Sequence, residues 1–410
     1  MFAYAYSSYF TTYTATTPAS DYSSNIILYT FTALLALLGY GLLIAYSDNS
    51  AVAGLTTTLI VVAVSVQAAP MLLQFWYNVF NGFGPNAPLS LESERVTMVL
   101  CSSLLVALSA LVGRLGKVET LLTVFLYNIG WTLSYQVTQY IYNTRSPSTP
   151  QIYDDYGTNY VYVFAGFFAL VSSLIINVRP GKFSPTGSRH SAFISLIGTG
   201  FIFACFPFTG VLFPSGINVY RYTEGPMNIY FALTASVICT YISSAIFGKL
   251  KVGVRESLVG VLGGGVSIAV VAGNINNMGA CIAIGAFAGF VSGFWLRIVH
   301  PRLNRVNSVD HLGIIGPILV NAIIGGLVIS PAMYKIYYDR GTVSSGLSQT
   351  VNDTVFMSYQ LSYIGIAAGT AIVTGLLAAL FSLPFRDSET DFQFTKLVSS
   401  DFGLYREEDG

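Results

Sequence analysis

Eleven apolar runs recur along this chain, at roughly residues 25–46, 52–74, 94–113, 118–142, 155–177, 191–213, 226–248, 256–273, 277–298, 311–331 and 358–384. A stretch of about 20 apolar residues is what an α-helix needs to cross the hydrocarbon core of a bilayer. In lipid the backbone must satisfy its own hydrogen bonds, so continuous runs become helices, whereas barrel strands read as short alternating segments. The expectation is an all-α polytopic membrane protein of about eleven transmembrane helices. Only 9% of the 410 residues are charged and 53% are hydrophobic. A soluble domain carries about 25% charge, so a soluble enzyme is excluded, and so is a disordered chain. Lys+Arg (19) and Asp+Glu (19) balance. No basic patch stands out, which argues against nucleic acid as a partner.

An odd number of spans puts the termini on opposite sides. Of the 19 Lys and Arg residues, fourteen fall in the 1–2, 3–4, 5–6, 7–8 and 9–10 connections and the C-tail; only Arg95, Arg145, Arg221, Lys335 and Arg340 fall on the other side. The positive-inside rule then places the N-terminus outside and the C-terminus inside, in cytosol or matrix. A plasma membrane and a mitochondrial inner membrane are not distinguished. Residues 1–24 hold no Lys or Arg and are rich in Tyr, Thr and Ser. This tail lacks the marks of a signal or transit peptide. It reads either as a flexible outer tail or as a strap that docks on a partner. Residues 385–410 read as a polar inner tail.

Reactive chemistry is sparse. Cys101, Cys205, Cys239 and Cys281 lie inside apolar runs without CxxC spacing and read as small core hydrophobes. His190, His300 and His311 lie in loops or at a helix entrance, and no cluster has metal-ligand spacing. No cofactor or metal is expected, and no nucleophile–base pair suggests an enzyme. Gly285, Gly289 and Gly293 recur at four-residue spacing in the ninth run. This glycine stripe lets another helix backbone come close. Gly263-Gly264-Gly265 reads the same way, because no phosphate-loop motif accompanies it. Gln67, Gln74, Asn128, Gln136, Asn321 and Gln360 sit within spans; they line a wet path or hydrogen-bond across helices.

Two helix entrances look alike. Asp154-Asp155-Tyr156-Gly157 precedes the fifth span and Asp310-His311-Leu312-Gly313 the tenth. Five spans separate them, so they enter from opposite sides, the mark of an inverted repeat. The halves run over about 25–178 and 190–331, with a final helix at 358–384 outside the symmetry. Asp154, Asp155 and Asp310 act either as helix caps or as attractors of cations.

Three further strings join these features. They are Gly285-Ala286-Phe287-Ala288-Gly289 followed by Pro301 and Asp310-x-x-Gly; Ile197-Gly198-Thr199 with Pro207; and Gly116-Lys117-Val118. In collinear order, over about residues 25–385, they resemble the ammonium transporter and Rhesus (Rh) family, in its Rh branch. The resemblance implies conduction of ammonia or ammonium through a pore in each subunit of a homotrimer. It also implies a mid-pore histidine pair, eight residues after each repeat Asp. Those positions hold Tyr162 and Ile318. Gln139 stands where Rh proteins carry a glutamate, and the aromatic gate reads Phe206-Pro207-Phe208; Asn321 is a further pore or vestibule candidate. An unpaired ammonium ion in mid-membrane costs several kcal/mol, and Ile318 offers it nothing polar. The expectation is therefore a degenerate pore in a structural or accessory subunit, with other membrane subunits as partners. The alternative is a working channel for ammonia, ammonium or a small neutral solute such as CO2. A sensor that binds without passing its ligand is a third reading.

Overall fold

A computed structural model describes residues 19–44, 51–82, 90–111, 115–141, 154–176, 189–210, 221–248, 253–275, 277–306, 313–333 and 353–385. Each stretch is dominated by one helical rod. We label the rods α1 (Ala19–Leu34, continued to Ile44), α2 (Ala51–Asn81), α3 (Leu91–Leu108), α4 (Lys117–Gln139), α5 (Asn159–Ile175) and α6 (Arg189–Cys205). The remainder are α7 (Arg221–Phe247), α8 (Val254–Ala269), α9 (Met278–Phe294, continued to Val306), α10 (Ile315–Met333) and α11 (Asp353–Ser382). Asp310, the tail 1–18 and the tail after residue 385 lie outside the described residues.

Seven rods are long and apolar enough to cross a membrane by length and composition alone: α1, α2, α6, α7, α9, α10 and α11. The other four are shorter or more polar, and two of them show why. Every residue of α3 from Arg95 to Leu108 is buried, and every residue of α8 from Leu258 to Ala269. A helix enclosed on all sides has no lipid-facing surface to keep apolar.

Several run boundaries shift for local reasons. Pro207 stops α6 early and forces a 3-10 turn over Phe206–Phe208. The eighth run leaves the α-helix at Ala269 and ends in a turn at Ala272–Asn274. The second continues to Asn81, where Phe80 stacks on Tyr140 at 5.5 Å between ring centroids.

The packing follows the inverted repeat. In the first half α2 lies on α3 and α4; in the second, α7 lies on α8 and α9. α3 contacts α1 and α5, as α8 contacts α6 and α10, and α5 crosses α10 at the centre. The two repeat glycines share one backbone state: Gly157 and Gly313 both have φ +70°. That left-handed conformation is strained for any side chain, and it lets the chain turn sharply into α5 and α10. α11 packs on α4 and α5 and has no counterpart in the second half.

The glycine stripe sits at the α7–α9 contact. A Cβ on Gly285 would collide with the Ala232 carbonyl, and one on Gly289 with the Ser236 carbonyl. The Thr240 hydroxyl donates to the Gly289 carbonyl at 3.0 Å, a bond open only to closely spaced backbones.

Candidate functional site

The entrance to α5 is built around Asp154, which is 1% exposed. Its Oδ1 accepts from the Thr158 N–H at 2.6 Å and its Oδ2 from the Asn159 N–H at 3.0 Å. The Tyr363 hydroxyl of α11 donates to the same Oδ2 at 2.7 Å. This is helix capping: the carboxyl oxygens satisfy free N–H groups at the start of the helix. Asp155 faces the other way, and its Oδ2 accepts from the Gly273 N–H at 3.0 Å. The backbone N–H groups of Asp155 and Tyr156 donate to the Val270 and Ala269 carbonyls. The turn is thereby pinned to the end of α8.

Beyond the turn α5 opens with a π-helical stretch, Asn159–Val163. A wider turn displaces carbonyls from regular α-helical bonding. Here the Trp131 ring N–H donates to the Tyr160 carbonyl at 3.0 Å, and the Ser103 hydroxyl to the Val161 carbonyl at 2.7 Å. α3 and α4 thus set the start of α5 and, with it, the direction of Tyr162.

Tyr162 points into the bundle and meets Tyr40 of α1. Their hydroxyls share a hydrogen bond with 2.6 Å between the oxygens. Tyr162 is 3% exposed and Tyr40 fully buried. The Phe206 ring lies 6.2 Å from that of Tyr162, centroid to centroid, and one edge of it packs on Gly265 of α8. Ile318 is buried on the α10 segment that contacts the opening of α5. The result is a packed plug of Tyr40, Tyr162 and Phe206 between α1, α5 and α6, with Ile318 buried nearby on α10, which meets the opening of α5. One phenol donates and the other accepts, so each hydroxyl has a partner within the protein.

Of the other sequence candidates, few join this plug. Phe208 turns away: it is 36% exposed and packs on Phe31 at 5.0 Å and Tyr230 at 5.9 Å. Pro207 separates the two aromatics on a tight turn, so they cannot both face inward. Asn321 donates to the Ser292 hydroxyl at 2.8 Å and bridges α10 to α9. Gln139 is hydrogen-bonded to the Tyr135 side chain. Asn128 bridges to Ser65 of α2 at 3.0 Å, and Gln136 to the Leu73 carbonyl at 3.3 Å. Gly285, Gly289 and Gly293 serve the α7–α9 contact described above. Tyr40 was not among the sequence candidates. Its signal was a tyrosine within the first apolar run, several residues from either end, where the need for an interfacial anchor does not explain it.

No group of His, Cys, Asp and Glu that could hold a metal exists among the described residues. A cavity of about 300 Å³ does open elsewhere, where the C-terminal ends of α2 and α4 meet the start of α3.

The model of the Ammonium Transporter Family matches residues 6–390. The chain is 24% identical over 378 residues to the Ammonium transporter Rh type B of Oryctolagus cuniculus, covering 88% of this chain and 78% of that protein. The Homo sapiens protein of the same name is likewise 24% identical, over 383 residues, with the same coverage. Among solved structures, Rh50 of Nitrosomonas europaea superposes with a TM-score of 0.71 at 18% identity, over 94% of this chain and 99% of that one. Mep2 of Saccharomyces cerevisiae superposes with a TM-score of 0.65 at 17% identity, over 90% and 89%.

Proposed function

Because this chain belongs to the ammonium transporter family, with Rh-type relatives over most of its length, we propose that it is an Rh-like membrane protein with a closed central route. It acts as a structural or accessory subunit of a membrane protein complex. The observation that carries this reading is the Tyr40–Tyr162 hydroxyl pair, 2.6 Å apart and buried. A solute passing here must break that bond and displace Phe206 as well. The plug offers no imidazole and no charge, so an ammonium ion would cross it unpaired. Its scaffold role would use the outer tail and membrane faces to meet other subunits. A homotrimer follows from the family resemblance.

The second reading is conduction of ammonia, ammonium or a small neutral solute such as CO2. It is favoured by the relatives named ammonium transporters, which match 88% of the chain.

Stopped-flow uptake of ammonia and methylammonium into proteoliposomes decides between them. Wild type is compared with empty liposomes and with the Tyr162→His, Ile318→His double variant. A closed route predicts wild-type flux equal to that of empty liposomes. Flux gained by the double variant would show that an intact scaffold carries a blocked pore. Wild-type flux above background would reject the closed route.

A further inference from the structure

The cavity where the ends of α2 and α4 meet the start of α3 stands apart from the plug, and it lies at the face from which α1 sets out. Its volume, about 300 Å³, is at the lower end of the range for small-molecule sites and suits one aromatic side chain. Leu73 and Val96 supply apolar surface, and Tyr77, which is 49% exposed, an aromatic ring. Tyr135 is held as part of the wall by its stacking on Trp131, 5.4 Å between ring centroids.

The polar part of the wall accepts more than it donates. Glu92 is its one ionisable acid, and it holds no Lys, Arg or His. The Ser90 and Ser93 hydroxyls are committed to the cap of α3. Gln74 and Gln136 each commit an amide N–H within the protein, to Asn78 at 3.0 Å and to the Leu73 carbonyl at 3.3 Å. Their carbonyl oxygens remain as acceptors. An uncharged ring with one O–H donor matches this wall. A carboxylate would be repelled by Glu92, and an acyl chain would leave the acceptors without hydrogen bonds.

Residues 1–18 precede α1 at this same face. They hold Tyr4, Tyr6, Tyr9 and Tyr13 and no Asp, Glu, Lys, Arg or His, so they bring several uncharged phenols. Distance chooses among them. Tyr29 of α1 lies within electrostatic range of Glu94 in the first turn of α3. Ala19 stands ten residues earlier, about 15 Å further along the helix axis. Crossing from α1 past α3 adds two helix spacings of about 10 Å each, so Ala19 and the cavity are roughly 25 Å apart. An extended chain covers about 3.3 Å per residue, so Tyr13 reaches about 20 Å from Ala19 and Tyr9 about 33 Å. Tyr13 falls short. Tyr9 is the first phenol to arrive, and every longer loop costs more entropy to close.

We propose that residues 1–18 fold back over the start of α3 as a strap and seat the Tyr9 ring in this cavity, its hydroxyl donating to the acceptor wall of Glu92, Gln74 and Gln136. The seat does not depend on whether the central route conducts. A seated strap still presents an outer side to a neighbouring subunit.

The test is photo-crosslinking from the cavity wall, with Tyr77→p-benzoylphenylalanine in the purified full chain in detergent. Tyr77 is exposed, so the fold tolerates the change. Ultraviolet light is expected to join position 77 to the tail peptide around Tyr9 of the same chain, which mass spectrometry of mixed heavy and light protein identifies. Adding Tyr9→Ala lowers the yield at least fivefold, and Glu92→Ala lowers it severalfold. Tyr13→Ala leaves it unchanged. The proposal is overturned if no product contains residues 1–18, or if the products join two different chains. It is also overturned if Tyr9→Ala keeps the full yield, or if Tyr13→Ala lowers it as far.

Discussion

In the second half of the molecule α7 and α9 meet backbone to backbone, while their first-half counterparts α2 and α4 meet through side chains. The α7–α9 contact rests on Gly285, Gly289 and the bond from Thr240 to the Gly289 carbonyl. The α2–α4 contact rests on the Asn128–Ser65 bridge and the reach of Gln136 to the Leu73 carbonyl. Inverted topology determines which helices are neighbours; it does not determine their separation. Glycine removes the side-chain layer and closes one joint. Amide bridges hold the other further apart, and the cavity opens at its end.

The largest expected effect breaks the close joint. Gly289→Leu drives a side chain into the Ser236 carbonyl, and overpacking of this kind costs about 3 kcal/mol. The folded fraction in detergent, followed by thermal melting, should collapse; an unchanged melt would mean that the helices are not in backbone contact. Next comes the first-half entrance. Asp154→Asn replaces one of the two carboxyl oxygens that accept from three donors, a loss of about 2 kcal/mol. A shift below half that size would show that the cap is dispensable.

Gly157→Ala and Gly313→Ala test the repeat itself. Both positions have φ +70°, and placing a side chain there costs about 1 kcal/mol. Gly313→Ala is expected to cost more than Gly157→Ala, because a Cβ there also meets the buried His300 ring at 2.8 Å; a neutral result at either glycine would show that its left-handed turn is dispensable. The smallest effect falls on the open joint. Asn128→Ala removes one interhelical hydrogen bond, which in membrane proteins averages about 0.6 kcal/mol. A melt lowered as far as that of Gly289→Leu would reverse the contrast between the halves.

Much of this architecture is legible before any coordinates. Span number follows from run length, because the bilayer acts as a ruler on a local property. The Asp154 entrance, the two left-handed glycines and the glycine stripe could be read because capping, left-handed turns and close approach each demand particular residues at short spacing. Tyr162 and Ile318 could be located by counting from their aspartates. What fills the centre could not. Tyr40 and Tyr162 are separated by 122 positions, and their meeting depends on a π-helical opening anchored by Trp131 and Ser103. Phe206 and Phe208 look like one aromatic gate in the sequence, yet the turn at Pro207 sends them to different neighbours. For Asn321 a bridge between helices was the favoured reading over a wet path, and Ser292 is the partner it finds. By itself, then, the sequence determined the number of helical rods among the described residues and their repeated order, since those depend on patterns within about 20 residues. Only the tertiary structure decided which side chains close the centre and where a cavity remains, since those depend on the direction in which distant helices aim them.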